Sequence, residues 1–491
     1  MRLLSVRPLR ILGTAAVLLW TAVCARAQPL FTAEHTTMLS TMTLHAVVQG
    51  GPGWRAYVSS DSYSVLSATS ADQLHWSDDA GFRLTTGPVV ELDASSITAL
   101  GVMSTTSPVG GLRMYYVGVS TAGYYSILSA TSTNGLVWGK ENGVRLRRNG
   151  GAAYIGALAP LRFSDTVVRL YYIADKNGGN TRDGYRMYSA SSTDGGWTFL
   201  DEGVVLDTRA WSVSVTSLTD ARVRLYFTQP LEALTTAAMV RSAISAAGTS
   251  FSEEADLRLT TTPADATLLG AVVVRATETW RWRMFPTFMP DGSTNAFVSS
   301  ALTLTPLPQS MTPRSALLNQ SSQTFTLTGE IFGPVTTLSF YAGSSSMTAF
   351  SLSRTDDLTY TGSFDPLGRS NGWWNLVMSD ADGYSGTLVH ALFIDVPPGE
   401  IDILDNVFRP LKGGTAKITV KTFVPGELSV KLYTVTGGLV ATLYDGPVPI
   451  GNTTMNWPGR TSIGNIVASG VYLLRVVGPK LNSVEKIVVI K

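Results

Sequence analysis

Three carboxylates occupy comparable places along the chain. Asp93 (in ELDASS), Asp207 (in LDTRAW) and Asp265 (in PADATL) each stand a few residues before an apolar, β-branched run. Tyr154 and Trp211 open two such runs, YIGALAP and WSVSVTSL. Acids accept hydrogen bonds from hydroxyl groups, and a flat aromatic ring covers the C–H face of a pyranose, so acids and rings gathered at one mouth form a surface suited to a sugar. Two of these acids facing one glycosidic bond could also act as acid and as base or nucleophile. Each Asp could instead accept backbone N–H groups in a turn entering a strand, which Asp does routinely. Asp93, Asp207 and Asp265 are therefore candidates for turn formation, ligand contact and catalysis, in that order.

Other chemistries find little support. His35, His45, His75 and His390 are scattered without ligand spacing, so no zinc site is expected. His45 lies on a run that could face an interior channel. Asp380-Ala381-Asp382-Gly383 has the start of a calcium loop but lacks the acids at later positions, so a hairpin turn is expected. No Gly-rich phosphate loop and no G-x-S-x-G elbow is present, and no cofactor is expected.

The elements that would position these residues repeat. WRAY, LRMYY, VRLYY, VRLYF and WRMF carry Arg55, Arg113, Arg169, Arg224 and Arg283, spaced 58, 56, 55 and 59 residues apart. A second phrase follows each: VLSATS, ILSATS, MYSASS, VRSAIS and FVSSAL. Two signatures keeping one period five times mark a structural repeat. Within the second unit, Ser96–Met103, LRMYYVG and YYSILSATS read as strands, with Val144-Arg145-Leu146 closing the unit after an Asn134-Gly135 turn. Four short antiparallel strands per ~57 residues is one propeller blade, and a blade buries both faces only between neighbours. Arginines repeated in every blade are read as scaffold, since a site in such a ring depends on residues that differ between blades. The five first strands, which would line the axis, contain no acid.

The paired phrases ILSATS-x-(D/N)G-x-x-W and R-x-Y-Y resemble those of the five-bladed propellers of glycoside hydrolase families 32, 43 and 68, over about 275 residues. That resemblance implies fold; its catalytic residues do not carry over, because Ala99 and Leu100 stand where an Asp-Pro step would be expected. The turn Ser132-Thr133-Asn134-Gly135-Leu136-Val137-Trp138, and its counterpart at Ser192-Thr193-Asp194-Gly195-Gly196 with Phe199 as the aromatic, resemble the Asp-box turn of sialidases. Such turns lie on the rim.

Pro306–Pro313 interrupts the pattern and reads as a linker. From residue 308 to 398 alternating strands and the phrase WNLVMSDADGYS resemble a TIG-type immunoglobulin-like domain. At Pro397-Pro398-Gly399 the composition changes: seven of the nine lysines follow Glu400, which marks a separate module. Its AKITVKTF and ELSVKLYTV alternate as half-buried strands do. Trp457, Gly459, Gly464, Gly470 and Tyr472 match the C-terminal Ig-like domain of flagellar hook-capping proteins, and the ending KIVVIK resembles type IX secretion sorting domains. The resemblance implies a core anchored on Trp457, and either a sorting tag or a spacer.

Arg2, Arg7 and Arg10 precede an apolar run, Ile11–Cys24, and Ala25-Arg26-Ala27 offers a cleavage site, so residues 1–27 read as a signal peptide rather than a membrane span. Attachment of a lipid at Cys24 is the alternative, but Val23 is bulky where that signal wants a small residue. Cys24 is the only cysteine, so the mature chain must hold together by burial and strand pairing, as an exported bacterial protein without disulfides. A net charge of +1 and 15% charged residues argue against a nucleic-acid partner.

The expected protein is all-β: a five-bladed propeller (28–307), an Ig-like domain (308–398) and a terminal Ig-like domain (399–491). The expected role is exported or surface binding of a glycan or protein without catalysis, with Tyr154, Trp211, Asp93, Asp207 and Asp265 as contacts. A glycoside hydrolase with relocated carboxylates, or a structural adhesion component, are the alternatives.

Overall fold

The computed structural model describes residues 31–491 except 51–52, 107–110, 149–152, 179, 219–220, 231–237, 256, 260–265, 278–280 and 382, and omits the side chains of 35–37 and 336. The signal-peptide expectation and Asp265 lie outside the described residues. No described helix is long and apolar enough to cross a membrane.

Among the described residues the repeats form five antiparallel sheets arranged as a propeller. Their innermost strands are Thr43–Gly50, Ser96–Ser104, Ile155–Arg162, Ser214–Ser217 and Ala266–Arg275, each beside the next, with the last against the first. In four blades the strands follow chain order outward. In the fifth, Phe31–Ser40 from the start of the chain adds the outermost strand to Phe297–Thr303, which closes the ring. Middle strands are sandwiched between neighbouring blades, so all eight residues of Leu112–Val119 are buried. They therefore read as near-continuous apolar runs rather than as an alternation.

Four of the five repeated arginines join their own blade to the next. Arg55 pairs with Asp79 of its own blade at 3.1 Å and donates to the Asn134 carbonyl of the following turn at 2.6 Å. Arg113 does the same with Glu141 and Gly195, and Arg169 with Glu202 and Ala247. Arg283 pairs with Glu34 and donates to the Asp72 carbonyl across the closure. Two residues on, Tyr57, Tyr115 and Tyr171 donate to the carbonyls of Gly135, Gly196 and Gly248. The Asp-box-like turns are real: Gly135 N–H donates to Ser132 Oγ, and the N–H groups of Leu136 and Val137 donate to Asn134 Oδ1. Trp138 packs edge-on against Tyr57. These arginines are scaffold.

The fourth blade departs from the pattern, because the strand that completes its neighbour comes from the N-terminal segment and brings no such turn. Phe31 fills the aromatic place, edge-on to Tyr226 at 5.8 Å, while the Tyr226 hydroxyl has no hydrogen-bond partner among the described residues. Arg224, held by Glu254 at 2.8 Å, reaches beyond the propeller to Glu330 at 2.7 Å.

Glu330 belongs to the first of two β-sandwiches. Its sheets are Leu307–Thr312, Gln323–Glu330, Thr359–Phe364 and Phe350–Arg354 against Ser315–Leu317, Ser385–Asp395, Gly372–Asp380, Val335–Ala342 and Ser345–Thr348. The segment expected as a linker is thus the strand Leu307–Thr312; it lies at a sheet edge, where Pro308 costs no ladder hydrogen bond. Trp374, Phe325 and Phe340 lie in the core. Asp380 sits in a hairpin, accepting Tyr384 N–H at 2.9 Å, and its carboxylate meets Arg281 of the fifth blade. The terminal sandwich buries Trp457 between Phe408 and Tyr472, and Gly464 takes the left-handed conformation of a turn.

One strand differs from expectation. The outermost strand of the second blade is Gly139–Lys140, and Leu146 returns only to bridge Ile127. The Trp138 anchor sets the strand directly after the turn, leaving Val144–Leu146 to cover the blade edge.

Candidate binding site in the axial cavity

The five inner strands converge on a cavity of about 190 Å³, with Thr43, Thr98, Tyr154, Trp211 and Leu269 among the residues that line it. Small residues allow this convergence. A side chain at Gly101 would meet Pro160 Cδ at 2.3 Å and the Leu158 carbonyl at 2.8 Å, so the second and third inner strands approach this closely only with glycine there. Among the described residues, none that lines the cavity carries a carboxylate. His45 lines the wall with its Nε2 2.7 Å from Ser59 Oγ, and burial lowers its pKa to about 4, so the imidazole is neutral at pH 7.

One side of the wall is aromatic. Tyr154 stacks on Tyr185 with centroids 4.8 Å apart and planes within 10°, and Tyr125 meets Tyr154 edge-on at 5.3 Å. Burial, and then the neighbouring Tyr154, raise the Tyr185 pKa, so this phenol is a neutral donor, and it donates to Asn180 Oδ1. Trp211 is held through its backbone N–H, donated to the Thr228 carbonyl. The Arg182 guanidinium lies 4.9 Å from the Trp211 ring centroid.

Arg182 comes from a turn longer than its counterpart in the second blade. Residues 176–184 join Val168–Asp175 to Tyr185–Ser192, where the second blade uses residues 120–124 for the same step. The turn is built on Asp175, 1% exposed, which accepts the N–H groups of Asn177 (2.8 Å) and Thr181 (2.9 Å) and the Thr181 hydroxyl (3.0 Å). Burial works to raise the Asp175 pKa, but these donors outweigh it and hold the carboxyl below its ordinary value. Gly184 completes the cradle, since a Cβ there would lie 1.9 Å from Asp175 Oδ1.

Of the residues singled out in the sequence, Tyr154 and Trp211 line the cavity and Asp93 and Asp207 do not. Asp93 is 1% exposed against the second blade, where it pairs with Lys140 at 2.7 Å and accepts from the Tyr116 hydroxyl and the Gly87 N–H. These contacts tie it to Lys140 and to the turn that begins at Gly87. Asp207 faces outward, paired with Arg186 at 2.7 Å and Lys176 at 3.7 Å; the Arg186 hydrogen bond and Lys176 lower its pKa. Among the described residues no group of histidines, cysteines and carboxylates is placed to hold a metal ion. Sequence reading missed Tyr125, Tyr185 and Arg182. The longer turn after LYYIAD, set against the other repeats, was the available signal for the last.

No family model and no curated protein sequence matches the chain. Among solved structures it is similar to a thermostable family-43 glycoside hydrolase (TM-score 0.45, 11% identity, 55% of this chain and 91% of the other). It is also similar to the sucrose-6-phosphate hydrolase of Lactobacillus gasseri (0.43, 13%, 89% and 93%). A third is the GH32 β-fructofuranosidase of Bombyx mori (0.42, 11%, 88% and 94%). The likeness is one of overall outline, and the chemistry of the cavity rests on this chain's own residues.

Proposed function

We propose that this is an exported or cell-surface protein whose propeller holds a saccharide in its axial cavity without cleaving it, joined to two Ig-like sandwiches that serve as spacer or sorting module. The observation that carries the reading is the cavity wall. Tyr154 and Trp211 offer ring surface to the apolar face of a sugar, and no described lining residue bears a carboxylate. Hydrolysis by two carboxyl groups needs them roughly 5–9.5 Å apart across the scissile bond. Asp93 and Asp207 are instead committed to Lys140 and to Arg186 outside the lining. The basic and apolar start of the chain with its Ala25-Arg26-Ala27 site supports export.

The test is affinity electrophoresis of the purified protein against neutral and acidic polysaccharides, with reducing ends followed for a day. Expected are retardation by at least one polymer, no release of reducing ends, and affinity reduced about tenfold in Trp211→Ala, equivalent to about 1.4 kcal/mol of lost stacking and burial. Release that Asp93→Asn/Asp207→Asn/Asp265→Asn abolishes would replace this reading with a hydrolase using relocated carboxylates. No retardation at all would leave a structural surface component.

A further inference from the structure

We infer that the saccharide held in the axial cavity carries a carboxylate, as a uronate does, and that Arg182 is the residue that selects it. This deepens the saccharide reading above and rests on it.

The first ground is the asymmetry of the ring. The repeated arginines are each consumed by an acid of their own blade and by an acceptor beyond it. The matching segments of the other repeats (60–63, 120–124, 231–237 and 291–296) contain no arginine, and Arg182 is delivered by a turn fixed on a buried Asp175. A loop held this firmly on a rigid frame is where recognition concentrates.

The second ground is an imbalance of donors and acceptors. The Arg182 side chain makes no ion pair and no hydrogen bond among the described residues; it lies against the Trp211 ring. The Trp211 indole N–H also lacks an acceptor there. The acids around the turn are already matched: Asp183 by Arg209 at 2.9 Å, Asp207 by Arg186 and Lys176, and Asp175 by the turn's own donors. An unneutralised guanidinium therefore rests on Trp211, beside the described lining rather than in it, and no described lining residue is a carboxylate that would repel an anion. A guanidinium resting on an indole face keeps its planar fork available, and that fork matches a carboxylate in two parallel hydrogen bonds. Ring surface for the sugar and a fork for its acid together describe an acidic monosaccharide unit.

The experiment measures binding of the whole protein to polygalacturonate, alginate and hyaluronan, with fully methyl-esterified polygalacturonate, xylan and dextran as neutral polymers. Expected is tighter binding of at least one acidic polymer than of the neutral ones, weakened by added salt. Arg182→Gln should reduce that affinity at least tenfold and abolish the preference for acid over ester, whereas Arg182→Lys should recover part of it. Arg182 is exposed, so both variants should keep the wild-type near-ultraviolet circular dichroism. Lys421→Gln, remote on the terminal sandwich, should leave binding unchanged. Neutral polymers bound as well as acidic ones, with Arg182→Gln unaffected, would overturn the inference and leave the saccharide reading standing. Binding of no polymer of either kind would overturn both.

Discussion

His45 and Ser59, 2.7 Å apart at the cavity wall, show how one residue ties stability to pH. Burial lowers the folded-state pKa of His45 from 6.5 to about 4. Between these values the unfolded chain binds a proton that the folded chain refuses, so stability falls as pH drops from about 6.5 to about 4 and the effect levels off below that. Its upper bound is about 3 kcal/mol, at ~1.4 kcal/mol per pH unit. The lowered carboxyls such as Asp175 act in a different window, losing their contribution only as pH falls below about 4. Denaturant unfolding at pH 7 and pH 4.5 should therefore show a smaller difference for His45→Gln than for the wild type. An unchanged difference would mean that His45 is solvated in the cavity.

Among the elements, the turn of residues 176–184 is the one the site depends on. Its shape is set by a single carboxylate receiving three donors and by a glycine that leaves that carboxylate room. Gly184→Ala places a methyl group within 1.9 Å of Asp175 Oδ1, so either the carboxylate or the turn must move. The cost expected for such overpacking is about 1–3 kcal/mol. The blade should survive, because its strands pair independently of the turn. Arg182 should lose its place over Trp211, and saccharide affinity should fall toward that of Arg182→Gln while the main unfolding transition shifts by only a few degrees. Wild-type affinity in Gly184→Ala would show that the turn does not position the guanidinium.

At the scale of the whole molecule, the propeller and the first sandwich share a buried ion network. The Arg224, Glu254 and Glu330 side chains are 1%, 5% and 2% exposed, and Glu330 supplies the acceptor that a following blade turn supplies to Arg55, Arg113 and Arg169. Removing one partner from a buried pair strands a charge and costs about 3–5 kcal/mol, whereas an exposed pair contributes about 0–1 kcal/mol. Glu330→Ala should lower the first thermal transition by several degrees. Glu400→Ala, which breaks the solvent-exposed pair with Lys421, should barely move it. Equal shifts for the two would mean that the sandwich contributes nothing specific to the ring.

The repeat was fully legible in the sequence, because every blade carries the Arg and an aromatic two residues later, and the first three add a Ser-x-Asp or Ser-x-Asn turn. So were the inner strands, because a strand buried on both faces leaves an unbroken apolar run, whereas Tyr154 and Trp211, read as opening two of them, lie just before Ile155–Arg162 and Ser214–Ser217. The alternating strands of the terminal sandwich were equally plain. Only the tertiary structure decided what depends on contacts between distant segments: that Phe31–Ser40 closes the fifth blade, that Glu330 completes the partners of Arg224, and that Asp93 turns to Lys140 rather than to the axis. Local composition records which backbone a segment prefers. Where its charged ends point is settled by the partner that neutralises them, and for the Arg182 side chain the described residues provide none.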